Sequence, residues 1–99
     1  MPLEVRRLPQ ASADSLAMWL HIAADNMTAA DALMDRLDEA IGKLADYPEL
    51  GPSRPSLGPG IRMFPVESVI IFYRLMPKRL EIVRILHAAR NITPDLLSE

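Results

Sequence analysis

Ninety-nine residues, 49% apolar and 24% charged, suit one globular domain (1–99) with a modest core. With no cysteine, disulfides and thiolate metal sites are excluded, and no apolar run nears the ~20 residues of a membrane span. The net charge of −2 hides an asymmetry: residues 1–49 carry four basic and nine acidic side chains, residues 50–99 seven basic and four acidic. That is unlike the strongly positive face of a nucleic-acid binder.

Leu3–Leu8 (LEVRRL) reads as a short strand ended by Pro9, which has no N–H to give a ladder. From about Ser12 to Ala24, Leu16, Trp19, Leu20 and Ala23 recur at helical spacing, flanked by Met18 and Ile22. Ser12 is the cap candidate, and Asp14 suits the positive end of the helix dipole. Asp25-Asn26-Met27 breaks the pattern. Thr28 then opens a second helix, with Asp31 in a capping-box position. Its stripe is long and regular (Leu33, Met34, Leu37, Ile41, Leu44), with charges opposite it, and Pro48 stops it. So short a break predicts an antiparallel helical hairpin.

Residues 48–60 hold four prolines and three glycines and read as a stiffened loop. Three strands follow, Ile61–Val66, Val69–Leu75 and Leu80–Leu86, at spacings that suit hairpins. The second and third are almost continuously apolar, which places them mid-sheet with both faces covered. Pro94–Ser98 suits a short terminal helix behind Thr93. The order β-α-α-β-β-β predicts an α+β fold, with the N-terminal strand in a mostly antiparallel sheet and both helical stripes packed against it.

Into the apolar strands the sequence sets Arg62, Arg74, Arg84, His87 and Arg90, and cations there need acidic or carbonyl partners. Glu67 and Glu81 are candidate partners for Arg62 and Arg74. Arg84 lies among Ile82, Val83, Ile85 and Leu86, so its stem is expected to be buried. His87 ends a strand, where a structural hydrogen bond competes with a contact role. Arg54, in the proline-rich loop, is a candidate partner contact. Met18, Trp19 and Ile22 are candidates for seating a partner helix, against the plainer reading of Trp19 as core. His21 and His87 lack ligand spacing, so no metal and no cofactor is expected.

Together LMDRLDEAIGKLADYPELG, PSRPSLGPG, IRMFPV, VIIFYR and EIVRILHAAR resemble the ParE branch of the RelE/ParE toxin superfamily, in the same order over nearly the whole chain. The shared pieces are Leu50-Gly51, Arg54-Pro55, Gly60-Ile61-Arg62, Phe64-Pro65-Val66, Ile71-Phe72-Tyr73-Arg74 and Leu86-His87-Ala88-Ala89-Arg90. Asn91, where that family often has Asp, and Val69, where an aromatic is frequent, depart from the pattern. The resemblance implies the toxin of a cytoplasmic type II toxin–antitoxin module, neutralised by a ParD-type antitoxin and acting on DNA gyrase. Arg54, Arg62, Arg74, Arg84, His87 and Arg90 are the expected contacts to target or antitoxin.

A RelE-type messenger RNA endoribonuclease is the alternative. Such chemistry needs a base, an acid and cations for the phosphorane. His87 and Tyr73 are the candidate proton carriers. Against it, arginine is a poor general base, and Lys43 and Lys78 are the only lysines, neither of them on a strand. Protein binding without catalysis is the expected mode, and a co-repressor that only binds its antitoxin is a third reading.

Overall fold

The structure, a computed structural model, describes residues 2–98. Strand β1 (Glu4–Arg7) leads into helices α1 (Pro9–Ala23) and α2 (Met27–Asp46). A 3-10 turn (Pro55–Leu57), strands β2 (Ile61–Val66), β3 (Val69–Leu75) and β4 (Arg79–His87), and a one-turn helix α3 (Pro94–Leu97) follow. The sheet order is β1-β4-β3-β2. Only β1 runs parallel to its neighbour; the other pairings are antiparallel. The two apolar strands are central, as their composition demands.

Both faces of that centre are covered. Ala11, Leu33, Leu37, Ala40, Ile41 and Leu44 of the helices meet Val69, Ile71, Tyr73, Leu80, Ile82 and Ile85 on one side. Leu8, Ile61, Phe72, Val83, Leu86 and Leu97 form the core of the other. Every aliphatic side chain is worth ~1.5–3 kcal/mol when fully withdrawn from water, so these layers supply the main stabilisation.

Helix α2 presents its predicted stripe to the sheet. Its cap, however, is Asn26 and not Thr28: the Asn26 side chain accepts from the Ala29 N–H at 3.0 Å. Asp31 makes no capping box and instead accepts from Trp19 Nε1 at 2.8 Å, tying the two helices together. Helix α1 starts three residues earlier than Ser12, because Pro9 both ends β1 and occupies the first helical turn, where its fixed φ and missing N–H cost nothing.

The orientation of α1 also differs from expectation. Leu16 and Leu20 point away from the sheet, 60% and 56% exposed. Ala11 and Ser15 are buried, and Met18 and Ile22 pack against the core behind them. These four obey helical spacing equally well. Their first two members are small, and the Ser15 hydroxyl is satisfied by donating to the Ala11 carbonyl at 3.2 Å.

One irregularity positions the arginines. Phe72 pairs with Arg84 but Tyr73 pairs with Ile82, leaving Val83 as an extra residue in β4. Beyond Ile82, no described strand flanks β4 on its β1 side. There the Asp14 carboxylate accepts from the Ile85 N–H at 3.0 Å, standing in for the missing neighbour.

Candidate functional surfaces

The sequence-predicted cations divide into those held by the fold and those that face outward. Arg84 is the most fully held. Its Nε and Nη2 donate to the two carboxylate oxygens of Asp14 at 2.7 and 2.9 Å, and its Nη1 donates to the Leu96 carbonyl at 2.7 Å. Both partners are largely buried. Those hydrogen bonds raise the Arg84 guanidinium further above its ordinary range despite the opposing effect of burial. The expected contact role for Arg84 therefore meets a residue whose three nitrogens already join α1, β4 and α3.

Arg62 pairs with neither Glu67 nor Glu81. Its Nη1 donates to the Gly51 carbonyl at 2.7 Å, and Glu67 takes Arg36 instead. The same loop is gripped by Tyr73, whose hydroxyl donates to the Pro48 carbonyl at 2.8 Å and accepts from the Gly51 N–H at 2.9 Å. Tyr73 is fully buried, and burial pushes its phenol up from the ordinary value, so it stays protonated. Gly51 is required here: a Cβ would lie 2.5 Å from the Met63 carbonyl and 2.7 Å from the Tyr73 hydroxyl.

Arg74 does pair with Glu81, Nε to Oε1 at 2.8 Å, and Arg79 Nε reaches Oε2 at 3.0 Å. Glu81 is 3% exposed. Burial works to raise its carboxyl, but the hydrogen bonds from Arg74 and Arg79 outweigh that and hold it below the ordinary carboxylate value. These three residues line a cleft of about 490 Å³ with Arg6, Arg84, Leu8 and Val83. Among the described residues lining it, four arginines stand against one carboxylate, and there is no histidine, lysine or tyrosine.

His87, the exposed last residue of β4, and Arg90, in the exposed turn beyond it, are not among the residues lining this cleft. His87 Nδ1 accepts from the Ala89 N–H at 3.0 Å, and the Arg90 N–H bonds the His87 carbonyl. Arg54 is exposed and touches the sulfur of Met63 at 3.4 Å. Of the three helix candidates, Met18 and Ile22 face the core and Trp19 is half-buried at the hairpin rim. The exposed apolar side chains of α1 are Leu16 and Leu20, which the sequence stripe contained but assigned inward.

Arg6 and Arg79 have no signal in the sequence, and Glu81 enters there as an arginine partner, not as part of a cleft. Strict alternation along Leu80-Glu81-Ile82-Val83 puts Glu81 opposite the helix-facing Leu80 and Ile82, which was the available signal. No local signal pairs Asp14 with Arg84, 70 residues away. Among the described residues no group of three or more His, Cys, Asp or Glu side chains is placed to hold a metal, and no helix is long and apolar enough to cross a membrane.

Residues 5–92 match the family model of the ParE toxin of the type II toxin–antitoxin system parDE. The chain is similar to Toxin ParE3 of Caulobacter vibrioides, 34% identical over 67 residues, which are 68% of this chain and 67% of the relative. Among solved structures, a chain from the chromosomal ParDE system of P. aeruginosa superposes with a TM-score of 0.74, at 24% identity over 86% of this chain and 95% of the other. One from the Mycobacterium tuberculosis RelBE2 toxin–antitoxin complex gives 0.64, at 22% identity over 88% and 99%. Likenesses at that identity establish the fold.

Proposed function

Because this chain belongs to the ParE toxin family of type II toxin–antitoxin systems, we propose that it arrests growth by binding protein, without catalysis, and that its target is DNA gyrase. The observation that carries the non-catalytic reading is the state of the candidate proton carriers, Tyr73 and His87, and of the one carboxylate in the arginine cleft, Glu81. Tyr73 is sealed in the core with both hydroxyl interactions made, and Glu81 is held ionised between two guanidiniums. His87 lies on a different part of the surface from the arginine cleft. General acid–base cleavage needs a proton donor and acceptor within reach of one phosphate; the one carboxylate of the cleft is already taken by two guanidiniums, and no histidine, lysine or tyrosine is among its described lining residues.

A ParD-type antitoxin neutralises the toxin in this reading. Its acidic, amphipathic segment lays apolar side chains on Leu16, Leu20 and the rim of Trp19, and carboxylates toward the cleft around Arg6, Arg74 and Arg79. Arg54, His87 and Arg90 remain as outward contacts for antitoxin or target. The module is cytoplasmic, as gyrase is.

The test is induction of the chain alone and together with the reading frame beside it. Growth arrest that co-expression relieves, with an SOS response and intact messages, is the expected result. Discrete cuts inside translated codons would establish the endoribonuclease instead. Antitoxin binding without any arrest would leave a co-repressor.

A further inference from the structure

The loop that Tyr73 and Arg62 hold presents apolar side chains to solvent. Tyr47 is 66% exposed, Leu50 46% and the neighbouring end of β3, Leu75, 42%. All three border one shallow cleft with Pro48. An adjoining cleft shares Leu75, Pro48 and Asp46 and extends to Pro77.

The backbone beneath them is fixed. Pro48 and Gly51 are bonded by the buried Tyr73 hydroxyl, the Gly51 carbonyl by Arg62, and the Leu50 N–H by the Tyr47 carbonyl at 3.0 Å. A fold that spends a buried phenol and a guanidinium on holding one surface turn presents its side chains at little further cost in order, which is the geometry of a recognition loop. Clustered exposed apolar side chains on such a scaffold mark a contact surface.

Charge identifies the occupant. Among the described residues lining these two clefts, the charged ones are Asp46 and Glu49. The arginine cleft has the opposite sign. An acidic antitoxin segment drawn to the arginines is repelled here, whereas an apolar anchor flanked by lysine or arginine fits.

We propose that Tyr47, Leu50 and Leu75, rimmed by Asp46 and Glu49, form the surface that docks the toxin's target protein, through an apolar anchor with basic neighbours, on a face the antitoxin leaves uncovered. This rests on the protein-binding toxin reading above. It adds that toxicity and antitoxin binding reside on separable surfaces.

The experiment compares the unaltered chain, a Tyr47→Ser/Leu50→Ser double variant, Glu49→Lys, and the conservative Tyr47→Phe/Leu50→Met. Each is measured for loss of colony-forming units on induction, for affinity to the cognate antitoxin and for urea midpoint. Tyr47 and Leu50 are exposed, so the midpoint is expected to hold. The double variant is expected to reduce killing at least ~10-fold, with antitoxin affinity unchanged. Glu49→Lys, which reverses one rim charge, is expected to weaken killing in the same direction, and the conservative pair to retain it. Should the unaltered chain arrest growth and the double variant and Glu49→Lys do so equally, the docking surface is refuted while the toxin reading stands. Loss of antitoxin affinity in Glu49→Lys would assign the patch to the antitoxin and also overturn the proposal. An unaltered chain that never arrests growth would overturn the toxin reading and this surface with it.

Discussion

Two sets of arginines in this small fold look alike in the sequence and behave oppositely. Arg84, Arg62 and the Arg74–Glu81–Arg79 group are clamps, directed at a carboxylate or at carbonyls of a neighbouring segment. Arg54 and Arg90 lie on the exposed loop and turn, and neither is in an ion pair with a described residue. An arginine in an apolar strand is thus more informative about the fold than about the partner. Arginines in the loops are where contact without structural cost is available.

Substitutions can break that distinction. The largest effect is expected from Asp14→Ala, which strands the Arg84 guanidinium and frees the Ile85 N–H at the open edge of β4. Removing one member of a buried pair costs ~3–5 kcal/mol. A clear fall in the urea midpoint is expected, and an unchanged midpoint would show that Arg84 is not a clamp. Gly51→Ala follows, at about 1–3 kcal/mol, because its Cβ meets the backbone of β2 and the Tyr73 hydroxyl. Tyr73→Phe leaves the Gly51 N–H without its acceptor, again at about 1–3 kcal/mol. Denaturant titration of both variants measures how tightly the loop is held.

Glu81 gives a smaller effect with a defined pH signature. Its folded carboxyl titrates below the ordinary value of 4.5. Its contribution is therefore fully present above about pH 4.5 and is lost as pH falls through the folded value. Glu81→Gln is expected to destabilise at neutral pH and to flatten the stability slope below pH 4.5. An unaltered slope would remove Glu81 from the clamps. Arg90→Ala is expected to stay within ±0.5 kcal/mol of the parent, while any effect it has appears in partner affinity measured on the purified complex.

The contrast between the helices explains how much of the fold sequence could disclose. In α2 the large aliphatic residues are also the buried ones, so periodicity alone finds its inner face. In α1 two stripes share the same spacing, and the inner one begins with Ala11 and Ser15, whose small size lets the helix lie close to β4 but gives hydropathy nothing to register. The strands and the central place of β3 and β4 were legible from β-branched runs and turn spacing, whereas the parallel pairing of β1 with β4 was not. Arginine partners were not, apart from Arg74 with Glu81, because Asp14 and the Pro48–Gly51 carbonyls are brought to them only by tertiary packing. Residue type therefore identified the cations, and only the fold could sort clamp from contact.

The most direct test of the toxin as a protein binder without catalysis is a supercoiling reaction with purified gyrase, run beside primer-extension mapping of messages translated in the presence of the chain. Inhibition of supercoiling that the antitoxin reverses, with uncut messages, is the expected result. Unimpaired gyrase together with cuts within translated codons would contradict it.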